Sequence, residues 1–288
     1  GMGVVWLAYD PRLRREVAIK EVLLPEHLSR EARDRTKAWV AREAQATARI
    51  DHPSVVTVHD VLEVDDTPFI VMSLIDGGSL RSRLDGTGPL TAEEALSVAR
   101  TLLDALSAAH RSGVVHRDIK PANIMLTGRE PSAVLTDFGI AGVLDSGSVS
   151  LTTTGSVLGT AEYLAPERLE SKGADPPSDL WSLGATLYTA VSGESPFRRD
   201  SLAASLSAVL AGPIPSPPCE GPLGELIEGL LVRDPARRMT AERALDLVGA
   251  ASDSGGPGAP RRPGEAGSGA GRWSPPSVHC WPWAPALL

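Results

Sequence analysis

The chain has 288 residues, of which 42% are hydrophobic and 22% charged, a globular composition on a chain longer than one core usually fills, so two lobes and a tail are expected. The net charge of -8 argues against a nucleic-acid footprint, which is normally a basic surface. It leaves protein substrates open.

Residues Gly1 to Ala8 read as a Gly-containing turn entering a strand, and Val17-Ala18-Ile19-Lys20 as a short strand ending in a lysine. Ser29 to Ile50 carry a charged, Ala-rich helix, with Trp39, Val40, Ala44 and Ala48 at helical spacing. Val55 to Val64 and Phe69 to Ser73 are β-rich runs joined by a turn at Asp65-Asp66. Asp76-Gly77-Gly78-Ser79 marks a hinge-to-helix boundary, and Thr91-Ala92-Glu93-Glu94 has the form of a capping box. Behind it, apolar residues from Ala95 to Ala109 recur at the helical period, which predicts a packed helix over Ala92 to Arg111. Ile124 to Leu126 and Ala133 to Leu135 read as short strands around a turn at Gly128 to Pro131. Apolar helices are predicted from Asp179 to Val191, Leu202 to Leu210, Leu223 to Leu231 and Ala241 to Val248.

Between these elements lies the densest chemistry in the chain. His116-Arg117-Asp118-Ile119-Lys120-Pro121-Ala122-Asn123 packs a carboxylate, an ammonium and an amide into eight residues. In extended backbone Asp118 and Lys120 point to one side while Ile119 anchors the other; Pro121 argues against a helix here. A hydroxyl acceptor, a cation for a travelling phosphate and a neutral oxygen ligand for a metal are what phosphoryl transfer requires. Fourteen residues after Asn123, Asp137-Phe138-Gly139 adds a second carboxylate. These two segments, with Val17-Ala18-Ile19-Lys20 and Ala165-Pro166-Glu167 in the matching order, resemble the protein kinases, in particular the bacterial eukaryotic-like (Hanks-type) Ser/Thr kinases. There is no G-x-x-x-x-G-K-[ST], which excludes a P-loop NTPase.

The resemblance implies an α+β, bilobal kinase-like fold: a small antiparallel β-sheet lobe with one main helix over residues 1–75, and a larger, mainly α-helical lobe over 76–250. It implies Mg-ATP as the phosphate donor, with Mn²⁺ an alternative ion, and Ser/Thr hydroxyls of proteins as acceptors in signal transduction. Asp118 is then expected to orient the hydroxyl and take its proton late, since an aspartate carboxylate is too weak a base to ionise an alcohol beforehand. Lys120 would neutralise the phosphate in transit and favours Ser/Thr over Tyr specificity; Asn123 and Asp137 would hold the metal through hard oxygens. Lys20 would contact the α- and β-phosphates and pair with a helix carboxylate, Glu43, with Glu31 as runner-up. Gly1, Gly3 and Val5 correspond to the later part of the family's Gly-rich loop, so the chain is read as beginning inside it, as a fragment or a mis-started gene product. Met72 would back the adenine slot, the Ser73 carbonyl and Ile75 amide would bind the base, and Val5, Ala18 and Met125 would sandwich it.

The resemblance extends to regulation and support. Arg117 would pair with a phosphate on the Ser/Thr-rich segment 145–159, where Thr152, Thr153 and Thr154 are candidates, and a transient homodimer would serve trans-autophosphorylation. Thr160 would contact the catalytic Asp and Lys, Asp179 would tie down the catalytic-loop backbone, and Arg238, or Arg237 if the register shifts, would pair with Glu167. After about Ala250 the composition turns to Gly, Pro, Ser and Arg, which predicts a disordered tail over 251–288 that holds Trp273, Trp281 and Trp283. Cys219 and Cys280 lack metal or disulfide spacing and fit a reducing cytoplasm. No secretory leader and no run of 18 apolar residues is found, so no membrane span is expected. The alternative class is a non-catalytic pseudokinase that binds partners through its large lobe.

Overall fold

A computed structural model describes residues 3–25, 28–128, 132–138, 161–170 and 175–254. The small lobe is a four-stranded antiparallel sheet in the order β1 (Gly3–Asp10), β2 (Arg15–Val22), β4 (Thr67–Ser73), β3 (Val58–Val64). The hairpin between β3 and β4 closes on two residues, Asp65 and Asp66, both at positive φ (47° and 65°). That is the backbone of a twist-compatible turn, and aspartate is among the few side chains that tolerate it. Helix α1 (Arg30–Thr47) starts at Ser29, whose hydroxyl accepts from the Ala32 amide at 3.2 Å. Its apolar stripe, Val40 and Ala44, packs on Val22 and Ile70 of the sheet.

The strand expected from Val55 begins only at Val58. Val55 and Val56 turn instead to the large lobe, where Val56 N–H donates to the Leu135 carbonyl at 2.9 Å. These residues therefore stitch the two lobes before the chain re-enters the small sheet.

A second, three-stranded sheet joins β5 (Gly78–Ser79), β6 (Ile124–Leu126) and β7 (Ala133–Leu135). Among the described residues the further helices are α2 (Leu80–Thr87), α3 (Ala92–Arg111), α4 (Pro166–Leu169), α5 (Pro176–Ser192), α6 (Leu202–Leu210), α7 (Pro222–Leu230) and α8 (Ala241–Ser254). Helix α3 carries the capping box in full: Thr91 and Glu94 each bond the other's backbone. Helix α5 starts three residues before Asp179, because Pro176 and Pro177 fit a first turn whose amides have no intrahelical acceptor anyway. α5 is buried on nearly every side, and its buried Ser182 and Thr189 hydroxyls donate to carbonyls. Leu102 and Leu106 of α3, Leu183 and Leu187 of α5, Leu226 and Leu230 of α7 and Val248 of α8 meet in one core. Gly184 permits the close approach of α5 to α7, since a Cβ there would stand 2.9 Å from that of Leu230. Among the described residues no helix is long and apolar enough to cross a membrane.

Candidate active site

The site is assembled where the loop after α3 meets α5. Asp179, buried in α5, accepts from the His116 and Arg117 amides, each at 2.8 Å, and from His110 Nε2 at 2.8 Å. Burial alone would raise the Asp179 carboxyl, but the hydrogen bond from His110, the histidine charges and the His116 amide outweigh it and hold it below the usual range. Arg117 takes φ = 69°, an uncommon conformation for a long side chain. It is pinned by Asp179 on its amide and by the Arg168 guanidinium on its carbonyl.

His116 is wholly buried, with its Nδ1 accepting from the Asp118 amide at 3.2 Å. Nε2 therefore carries the ring hydrogen and donates to the Thr136 carbonyl at 2.9 Å. Burial holds this imidazole below its ordinary pKa, against the pull of the Asp179 and Asp118 charges. Its ring lies 4.3 Å from that of Phe138, so the loop and the Asp137-Phe138 segment share one buried contact.

Asp118 faces Lys120, whose Nζ reaches both carboxylate oxygens at 3.0 and 2.8 Å. Asn123 Nδ2 donates to the Asp118 carbonyl at 2.8 Å and to Oδ2 at 2.9 Å, leaving the amide oxygen as the metal-capable end. The expectation of no helix at Pro121 needs correction: Pro121–Asn123 form a single 3₁₀ turn, with the Asn123 amide donating to the Lys120 carbonyl at 3.0 Å. Proline at the first position loses no bond there, and the turn folds Asn123 back beneath Asp118.

Lys20 and Glu43 depart from the expected pairing. Lys20 Nζ lies 2.7 Å from Asp137 Oδ1, while Glu43 Oε1 takes Arg117 Nη1 at 3.0 Å. Lys20 is nearly buried and Asp137 sits at φ = 63°. Glu31 is an exposed first-turn residue of α1. A narrow cavity behind Lys20 is lined by Ala44, Thr47, Val58, Ile70, Met72 and Phe138.

On the base side, Ala18, Val56, Met72 and Val134 form a buried apolar patch, with Ile75 and Met125 partly buried against it. Val56 and Val134 were not singled out from sequence; their only signals are membership of β-rich runs. Val5 is 58% exposed and stands opposite Lys20 in the β1–β2 register, so it shares that face. A Cβ at Gly3 would run into the Glu21 carbonyl. Ser73 ends β4, its amide donating to the Thr57 carbonyl at 2.9 Å.

Arg238 is fully enclosed and forks onto Glu167, Nη1 to Oε1 at 2.7 Å and Nη2 to Oε2 at 3.0 Å. Its Nε donates to the Val232 carbonyl and its plane lies 5.3 Å from the Trp181 ring. Arg237 is exposed. Gly1, Gly139, Thr152, Thr153, Thr154 and Thr160 lie outside the described residues, as does the tail from 255 onward.

For a divalent metal, no group of three or more His, Cys, Asp or Glu gathers among the described residues. The hard oxygens of Asn123 and Asp137 nonetheless fit an ion such as Mg²⁺, which takes one or two protein ligands and completes its shell with water and phosphate. A larger cleft of about 520 Å³ opens by the C-terminal end of α5, among Tyr188, Glu194, Arg198 and Asp200, and contains none of these groups.

Residues 1–247 match the protein kinase domain family. The serine/threonine-protein kinase PknA of Mycobacterium tuberculosis is 42% identical over 245 residues, covering 83% of this chain and 55% of the relative. PknB of the same organism is 39% identical over 260 residues, covering 86% of this chain and 41% of the relative. The chain thus spans about half the length of the curated relatives it matches. Domains of this family use ATP together with a divalent metal. With the match running across both lobes and through every segment of the site, the chain belongs to the protein kinase family.

Proposed function

We propose that the chain transfers the γ-phosphate of Mg-ATP to serine and threonine hydroxyls of proteins, in signal transduction. The observation that carries this reading is the mutual bonding of Asp118, Lys120 and Asn123 in one loop, together with the Lys20–Asp137 pair. Asp118 lies within a hydrogen bond of the Lys120 ammonium; a substrate hydroxyl bonded to the same carboxylate would stand beside the cation that faces the incoming phosphate. The carboxylate then orients the hydroxyl and receives its proton as the new P–O bond forms and the bond to the ADP oxygen breaks. Asn123 and Asp137 would hold Mg²⁺, or Mn²⁺, through their oxygens, and the bound ion supplies neutralisation of phosphate charge. Lys20 would hold the α- and β-phosphates, and the patch of Ala18, Val56, Met72, Val134 and Met125 the base, with the Ser73 carbonyl and Ile75 amide at its edge.

Phosphorylation of Thr152, Thr153 or Thr154 by a second copy of the chain, in a transient homodimer, belongs to this reading, since a phosphate adds charge that Arg117 can bind. The cytoplasm, where ATP and protein substrates meet, is the compartment we assign. Incubation of the purified chain with γ-labelled ATP, Mg²⁺ and a Ser/Thr-containing protein tests the reading, with Asp118→Asn in parallel. Label on serine or threonine that disappears in the variant supports it; an unlabelled substrate and an unlabelled chain would sink it.

A further inference from the structure

Ser73 is the last residue of β4 and the first of the segment that the proposed nucleotide site sets against the base. A side chain from outside that slot reaches it. β3 and β4 pair without interruption from Val64↔Thr67 to Asp60↔Val71, but the next pair is Val58↔Met72. His59 is therefore an extra residue, a β-bulge. Bulges give up a ladder position and re-aim a side chain, and they gather beside active sites. Here the re-aimed imidazole puts Nε2 3.0 Å from Ser73 Oγ.

Ser73 is consequently held twice from the same stretch of chain. Thr57, two residues before the bulge, takes its amide hydrogen at 2.9 Å, and His59 takes its side chain. On its other side Ser73 pairs with Val17 of β2. Side chains alternate along β4, so Ser73 Oγ and His59 lie on the sheet face opposite Met72, which lines the apolar slot. His59 thus acts from behind the sheet, without touching the slot. Asp10 and Arg15, the paired ends of β1 and β2, set their charges against it. Burial, then the Arg15 charge, hold the imidazole below its ordinary pKa, against Asp10. A neutral ring can accept from the Ser73 hydroxyl.

We propose that His59 is a positioning residue for the nucleotide base: through Ser73 it fixes where the Ser73 carbonyl and the Ile75 amide stand. This rests on reading residues 73–75 as the base-binding edge. The bland alternative, an imidazole that only satisfies a surface hydroxyl, predicts no effect on ligand binding.

The test is calorimetric binding of ADP, adenosine and inorganic tripolyphosphate to the full chain and to His59→Ala, Ser73→Ala, the double variant and His59→Gln. Each single alanine variant should weaken ADP and adenosine by about two- to tenfold, the size of one hydrogen bond, and leave tripolyphosphate unchanged. The double variant should be no weaker than His59→Ala, because both remove the same contact, and His59→Gln should recover most of the affinity. In the transfer assay KM for ATP should rise by the same factor with kcat within about twofold. Unchanged adenosine affinity in the single variants overturns the proposal. So do effects that multiply in the double variant, or an equal weakening of tripolyphosphate, which would mark general loss of the small lobe. If the unmutated chain binds neither ADP nor adenosine, the base-binding reading itself falls and takes this inference with it, a result visible before any variant is made.

Discussion

Glu43 and Arg117 meet between the lobes, the guanidinium donating to the carboxylate at 3.0 Å, while the lysine expected to hold Glu43 is bonded to Asp137 instead. The pair ties α1 to the catalytic loop. Neither partner is fully enclosed, with side-chain exposures of 15% for Glu43 and 29% for Arg117, so its coupling should be modest, about 0.5–1 kcal/mol. A double-mutant cycle of Glu43→Gln and Arg117→Gln, read by urea unfolding, checks this; additive effects would mean the contact contributes nothing. A loop phosphate competing for Arg117 would have only that modest tie to break, after which Glu43 could turn to Lys20.

Asp118→Asn should remove the proton acceptor and loosen the grip of Lys120 while leaving the base slot untouched. Transfer rates should fall by about 10²- to 10⁴-fold, with ADP affinity within about twofold by calorimetry. A variant that keeps a tenth or more of the rate would contradict the role assigned to this carboxylate.

Arg238 and Glu167 lie on segments 71 residues apart in sequence. Arg238→Met leaves Glu167 desolvated with no counter-charge, and should cost about 3–5 kcal/mol in urea unfolding. Pairing it with Glu167→Leu should restore a large part of that stability, because an apolar pair of similar volume avoids the burial cost of both charges. Failure of the second change to help would locate the damage in the carbonyl contacts at Val232 and Pro177 instead.

Acid should destabilise the fold in two stages. The unfolded chain protonates His116 near 6.5, whereas burial lowers that value in the fold. Its contribution is therefore complete above 6.5 and is lost as pH falls through the lowered value. Asp179, held below 3.8 because its hydrogen bonds and the neighbouring histidines outweigh burial, contributes fully above 3.8 and loses this as pH falls further. Unfolding free energies should decline below about pH 6.5 and steepen below about pH 4. A flat profile from about pH 7 to 5 would count against the buried neutral imidazole.

How much of this was legible in the chain depends on the range of the interaction. Helix α3 is read to the residue because an apolar stripe and a capping box are both local, and β6 and β7 because short apolar runs flank a turn. The 3₁₀ turn at Pro121–Asn123 is not announced by its sequence, because proline breaks a helix interior yet suits a first helical position equally well. β3 starts late because the residues flanking Val55, Ser54 and Val56, bond to Leu135, a partner about 80 residues away that no local pattern announces. Within the site, residue types and spacing point to the chemistry of Asp118, Lys120 and Asn123. Which carboxylate Lys20 takes depends on how α1, β2 and the Asp137 segment are placed in space. Lys20, Glu43, Arg117 and Asp137 offer two cations and two anions, and more than one pairing satisfies the charges.

The grip of Asp179 on the catalytic loop also sets a timescale. Its oxygens hold the amide hydrogens of His116 and Arg117, and its own backbone belongs to a helix enclosed on nearly every side. With the Asp179 carboxylate buried and bonded to both, those two hydrogens are shielded from solvent while α5 stays packed. In deuterium exchange they should trade as slowly as the amides of α5, rather than at the pace of a loop.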